Sequence, residues 1–233
     1  MEKLLLILCT VLISNIVSAQ ITYIDEDFST ANGTTPPAGW SQLILVGDPT
    51  IDSFHFDNPS SRTLYSPITS PAAIFDSDGY SSTGGAEEVA LISLTFDASG
   101  VTNVWLDWDQ YFRVFSGNTV YVRVDNGVTI DTVYSTNVTS PNPDAQSIDI
   151  SASAAGFATV NVSFLWTGNY SWYWIIDNVW VYSLADADVG VTAFTSPVSG
   201  ISLSASETVT VNVINFGLLA QDSIPVSYRI NGG

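Results

Sequence analysis

The chain has 233 residues, 46% of them hydrophobic and 12% aromatic, with a formal net charge of −18. That apolar content excludes an intrinsically disordered chain, and the negative field makes nucleic acid and anionic membrane surfaces poor partners. The single cysteine, Cys9, sits near the start, so beyond it a disulfide scaffold, a thiolate metal site and a cysteine nucleophile are all excluded.

Residues 1–19 read as a secretory signal peptide. Lys3 supplies the positive start, Leu4 to Ile13 an apolar run, and Val17-Ser18-Ala19 the small residues before Gln20. The segment is too short and wrongly flanked for a membrane anchor. It predicts export to the cell surface or medium, without membrane insertion. Glu2 and Lys3 leave together, so the exported chain keeps its charge of −18. Outside the cell such acidity supports solubility, tolerance of salt, or oxygen-rich sites for a hard cation such as calcium.

Short strands divided by Gly, Pro, Asn, Asp and Ser follow in order. Candidates are Thr22–Phe28, Gln42–Val46 and Val89–Phe96, with loops over 29–40, around Pro67 and Pro71, and over 76–88. In Val104–Phe112 the even positions Val104, Leu106, Trp108 and Phe112 are apolar and oppose Asp107 and Asp109, the period of a half-buried strand. Thr119–Tyr134 reads as a hairpin closed tightly at Asp125-Asn126-Gly127, where an Asn-Gly step suits a primed turn. Ser147–Ile150 and the alternating run Ala158–Trp166 continue the pattern. Regularly spaced strands without helices predict an all-β chain, an antiparallel jelly-roll β-sandwich.

The most aromatic run is Tyr170-Ser171-Trp172-Tyr173-Trp174-Ile175-Ile176-Asp177-Asn178-Val179-Trp180-Val181-Tyr182. A carboxylate inside such a strand needs a cation, donors or water. Strict alternation places Trp172, Trp174, Trp180 and Tyr182 on one face and Tyr173, Ile175, Val179 and Val181 on the other. Either both faces are buried, or one shows aromatics to a ligand. Tyr170 and Trp172, at the strand's start, are the candidates for exposure and ligand contact.

Composition shifts at Ala185-Asp186-Ala187-Asp188. Three strand candidates follow, Val189–Phe194, Glu207–Asn215 and Ser223–Ile230, too few to bury a core alone. The expected organisation is a signal peptide (1–19), a jelly-roll domain (20–184) and the first part of an Ig-like β-sandwich (185–233), covalently continuous with further modules.

The residues carry a family likeness. Asp25-Glu26-Asp27-Phe28 with Pro37-Ala38-Gly39-Trp40, then Ala73-Ile74-Phe75-Asp76-Ser77-Asp78, Leu91-Ile92-Ser93, Leu106-Asp107-Trp108 with Tyr111, and Trp174-Ile175-Ile176-Asp177-Asn178-Val179-Trp180-Val181 resemble, in order, the MAM-like, cleaved-adhesin or choice-of-anchor J modules. Leu94 stands where those modules usually have Pro. Asp188-Val189-Gly190-Val191, Ser196-Pro197 and Val211-x-Val213-x-Asn215-x-Gly217 resemble an Ig-like, CARDB-type module. Such pairs are typical of exported Bacteroidetes-type proteins. The resemblance implies a calcium-stabilised adhesion or carbohydrate-binding sandwich. In that geometry the first and last strands lie close, so Glu26 or Asp27 meets Asp177, with Asp76 and Asp78 reaching in as further metal ligands.

Enzyme patterns fare worse. His55 lies in Ser53-Phe54-His55-Phe56-Asp57 and reads as a half-buried strand residue. No Gly-x-Ser-x-Gly elbow, zinc helix or dinucleotide glycine pattern is present. The expectation is therefore a non-catalytic module for an extracellular glycan or protein ligand, with no nucleic acid partner. Its rivals are an accessory region of a secreted protease or glycoside hydrolase, and a spacer in a surface stalk.

Overall fold

A computed structural model describes residues 20–79, 85–198 and 206–227. Along them run β1 (Ile21–Glu26), β2 (Ser41–Val46), β3 (Ala73–Asp76), β4 (Ala86–Ile92), β5 (Trp105–Arg113), β6 (Thr119–Asp125), β7 (Ile130–Thr136), β8 (Asp144–Asp149), a helical turn α1 (Ser151–Ala154), β9 (Asn161–Asn169), β10 (Tyr173–Ser183), β11 (Val189–Ser196) and β12 (Thr210–Asn215). They fall into two compact units, Thr22–Ser183 and the residues from Leu184 onward. The signal-peptide segment 1–19 lies outside the described residues, as does the end of the strand expected over Ser223–Ile230; residues 223–227 form no strand.

The larger unit is an antiparallel jelly-roll β-sandwich. One sheet is ordered β1-β10-β5-β8, with β3 also pairing β10, and the other is ordered β2-β4-β9-β6-β7. Inward positions of the two sheets interlock as edge-on or tilted rings. Trp108 meets Phe164 at 6.0 Å, Phe112 meets Trp166 at 6.0 Å, and Trp174 meets Phe164 at 5.9 Å between centroids. Each such ring contributes roughly 1.5–3 kcal/mol by leaving water. Polar side chains share these inward faces, among them buried Gln110, which accepts from Trp174 Nε1 and donates to the Tyr134 hydroxyl and Asp144. The two sequence pieces at the amino end also meet here, because Phe28 packs edge-on against Trp40 at 5.4 Å.

The structure corrects three local expectations. Ala73–Asp76, not among the expected strands, forms β3 against Tyr173–Ile176 of β10. The β6–β7 hairpin closes through four residues, since Asp125 pairs with Ile130. There the Asn126 side chain accepts from the Val128 and Thr129 amides and donates to Ser153 O, a set of bonds that holds the wider loop. Most consequential is a bulge in β10. Asp177 pairs with Asp109, but the next register pair is Trp180 with Asp107, and Asn178 between them has φ 52°. One extra residue reverses the alternation. Val179 and Val181 therefore join the core beyond Ile176, while Trp180 and Tyr182 turn to the outer face with Tyr173, Ile175 and Asp177.

That outer face is covered at one end. The chain before β3 lays Leu64 and Ile68 over Ile74, Tyr173, Ile175 and Tyr111, forming a second small apolar cluster. Beyond Ser183 the described residues form one antiparallel pair, β11–β12.

Candidate functional site

Four of the residues expected to carry function converge at the start of β10: Asp76, Asp78, Tyr170 and Trp172. What joins them is Arg62. Its guanidinium donates from Nε to Asp76 Oδ2 at 2.7 Å, and from Nη2 to Asp76 Oδ1 at 2.7 Å and to Asp78 Oδ2 at 2.9 Å. Its plane lies over the Tyr173 ring at 4.5 Å and 5.8 Å from the Trp172 ring. Asp76 is fully buried, and its Oδ1 also accepts the Gly79 amide at 2.9 Å. Gly79 is required for space: a Cβ there would stand 2.0 Å from Ser60 Oγ and 2.5 Å from Asp76 Oδ2.

Above this buried pair sits an aromatic platform. Phe115 is 68% and Tyr170 48% exposed. Trp172 stands edge-on to Phe115 at 6.4 Å, and the Arg113 guanidinium lies 4.1 Å from its ring centroid. Together with Asp78 and Ser171 the three aromatics line a cavity of about 210 Å³. Tyr170 holds φ 44°, a left-handed conformation that non-glycine residues enter at a cost.

A buried polar chain fixes the platform from below. Ser171 donates its amide to Ser77 Oγ and its hydroxyl to Asn118 Oδ1, and it accepts the Phe115 amide. Ser77 in turn donates to Glu87 Oε1, while Trp166 Nε1 in the core donates to Glu87 Oε2. Phe115, Tyr170 and Trp172 are thus positioned by a connected polar chain, in which Asn118 Nδ2 has no hydrogen-bond partner within the protein. Such a surface can stack on the C–H face of a sugar ring, with Asp78 as acceptor and Arg113 as donor of hydrogen bonds.

The other three expected metal ligands lie elsewhere. Glu26 accepts the Phe28 amide and Asp27 the Ser29 amide, each capping its own turn. Burial is the first cause raising the Glu26 pKa, whereas hydrogen bonds from Ser29 lower that of Asp27. Asp177 is fully buried and accepts the Thr69 amide at Oδ2 and the Asn178 amide at Oδ1. Burial pushes its pKa up to about 6, against the pull of those amides and with the Asp27 and Asp109 charges adding to the rise. The five carboxylates therefore do not fit one calcium site. Asp76 and Asp78 share Arg62, while Glu26 and Asp27 accept backbone amides at the end of β1 and Asp177 at the bulge inside β10, and among the described residues no three His, Cys, Asp or Glu side chains gather to hold a metal ion.

His55 makes a backbone bridge to Ile74 of β3 and places Nδ1 3.6 Å from Asp57. Sequence reasoning did not single out Arg62, Arg113 or Phe115. The available signal was scarcity: with only five Lys and Arg in the chain, an arginine near the aromatic strands is rarely incidental.

No protein-family model and no curated protein matches this sequence. Among solved structures, the K3 cleaved adhesin domain of Lys-gingipain from Porphyromonas gingivalis is similar over 70% of this chain and 99% of its own, at 15% identity and TM-score 0.53. TmCBM61 in complex with β-1,4-galactotriose matches over 69% and 97%, at 12% identity and TM-score 0.47. Caldicellulosiruptor saccharolyticus CBM27-1 in complex with mannohexaose matches over 69% and 95%, at 14% identity and TM-score 0.46. The first of these shows a shared fold, the jelly roll of a cleaved adhesin domain.

Proposed function

We propose that the jelly roll is a non-catalytic binding module of an exported protein and that its ligand is an extracellular glycan. The single observation that carries this is the Phe115–Tyr170–Trp172 platform: two exposed aromatics and the half-buried Trp172, set on a buried polar chain around a cavity of about 210 Å³. Exposed apolar surface of this kind is unfavourable unless something covers it. Rigid rings lose little entropy on binding, and a neighbouring carboxylate and guanidinium supply the directional bonds that a ring's hydroxyls need.

The test is retardation of the secreted chain in affinity gels cast with a broad set of soluble polysaccharides, run beside Phe115→Ala. Retardation of the wild type that the variant loses supports the reading. Equal mobility across the whole set removes it.

A further inference from the structure

The bulge at Asn178 creates a second feature on the outer face of the β1-β10-β5-β8 sheet, away from the platform. The covering segment before β3 ends where Thr69 bonds Asp177 and where Asn178 Nδ2 reaches Pro67 O at 3.4 Å. Past that edge lies a hollow of about 230 Å³ over the paired strands β5 and β8, with Asp107, Asp109, Ser147 and Asn178 in its lining.

Its polar groups are set in place from several strands. Asn178, re-aimed by the bulge, donates to Asp109 Oδ2 at 2.9 Å. Tyr182 donates its hydroxyl to Asp107 Oδ2 at 3.2 Å. Tyr182 and Trp180 lie tilted on each other with centroids 4.3 Å apart, and Trp180 stands directly across the ladder from Asp107. Two buried atoms on this face lack hydrogen-bond partners within the protein: the acceptor Asp107 Oδ1 and the donor Nε1 of Trp105, its neighbour two residues away on β5. Buried polar atoms without partners are uncommon in folded proteins and call for an explanation.

The geometry points to a second ligand site here, for a neutral, hydroxyl-rich saccharide. Asp107 and Asp109 offer acceptors to hydroxyl donors. Their charges disfavour anionic ligands, and sugar hydroxyls can donate to the carboxylates and bond to Ser147 and Asn178, which line the same hollow. Beside the hollow, across the ladder from Asp107 on the same outer face, Trp180 offers a ring on which a pyranose C–H face can rest. The left-handed Asn178 and its bulge are the kind of local irregularity that re-aims side chains at functional positions. This site does not depend on the platform: none of the residues lining the platform cavity lines it.

The test uses the full secreted chain, ¹⁵N-labelled, titrated with neutral tetrasaccharides built from glucose, mannose or galactose. A double variant, Phe115→Ala with Tyr170→Ala, removes the platform. Saturable shifts at the Asp107, Ser147, Asn178 and Trp180 amides in that variant are the expected result. Adding Trp180→Ala should weaken those shifts at least tenfold, and Asp107→Asn should weaken them while keeping the side chain's shape. Melting curves of each variant show whether the sheet is intact. If Trp180→Ala unfolds the chain, Asp107→Asn alone decides. Shifts confined to Phe115, Tyr170 and Trp172 in the wild type would uphold the platform and overturn the groove. Absence of any shift at the four groove amides with all three sugars also overturns it.

Discussion

Arg62 grips Asp76 through two parallel hydrogen bonds, Nε to Oδ2 and Nη2 to Oδ1, both 2.7 Å long. The carboxylate is fully buried and the arginine side chain is 17% exposed. Removing one partner of such a pair leaves an uncompensated buried charge, which costs about 3–5 kcal/mol. Arg62→Met is therefore expected to lower unfolding free energy by that amount in urea titrations. Arg62→Lys should recover only part, because an ammonium lacks the fork and stacks poorly over Tyr173. A loss near zero for Arg62→Met would place this pair with ordinary surface ion pairs.

The same pair bears on calcium. Asp76 and Asp78 share Arg62, while Glu26, Asp27 and Asp177 accept backbone amides, and among the described residues these carboxylates do not gather around one cation. Equal melting temperatures in excess EDTA and in millimolar calcium are the expected outcome. A drop in chelator would show a cation held by an arrangement other than this one.

Asp177 makes stability depend on pH in an unusual direction. Its pKa rises from 3.8 to about 6 on folding, with burial the largest cause. Between those values the folded state binds more protons than the unfolded one, so this contribution is present at low pH and lost as pH rises through 6. A rise from 3.8 to about 6 corresponds to about 3 kcal/mol. Other carboxylates titrate nearby, so the readout is a difference: wild type minus Asp177→Asn. That difference should fall between pH 4 and pH 7, and a flat difference would contradict it.

Glu87 connects the core to the platform. Glu87→Ala orphans the Trp166 indole N–H and the Ser77 hydroxyl, at roughly 1–3 kcal/mol for each group. Thermal melts should show the loss, and glycan retardation should weaken with it because Ser77 positions Ser171.

Much of the sandwich was legible because its strands obey a period of two. Val104, Leu106, Trp108 and Phe112 all face the core as their spacing requires. Tyr170 was legible as exposed ahead of a buried strand, whereas Trp172, expected beside it, is half-buried; both line the platform cavity. The faces of Trp180 and Tyr182 were not. A single inserted residue, Asn178, reverses every later side chain, and periodicity carries no mark of a bulge. The acidic residues were visible, but what neutralises them was not. Arg62 lies 14 residues from Asp76 in sequence, in a loop whose path only the fold determines.

Glycan binding through the platform is tested most directly at Phe115, since this ring is 68% exposed and its removal leaves the core intact. The measurement is a titration of wild type and Phe115→Ala with whichever polysaccharide retards the wild type, each beside its melting curve. The predicted result is an affinity at least tenfold weaker at an unchanged melting temperature. Equal affinity in the two proteins would contradict the platform as the binding surface.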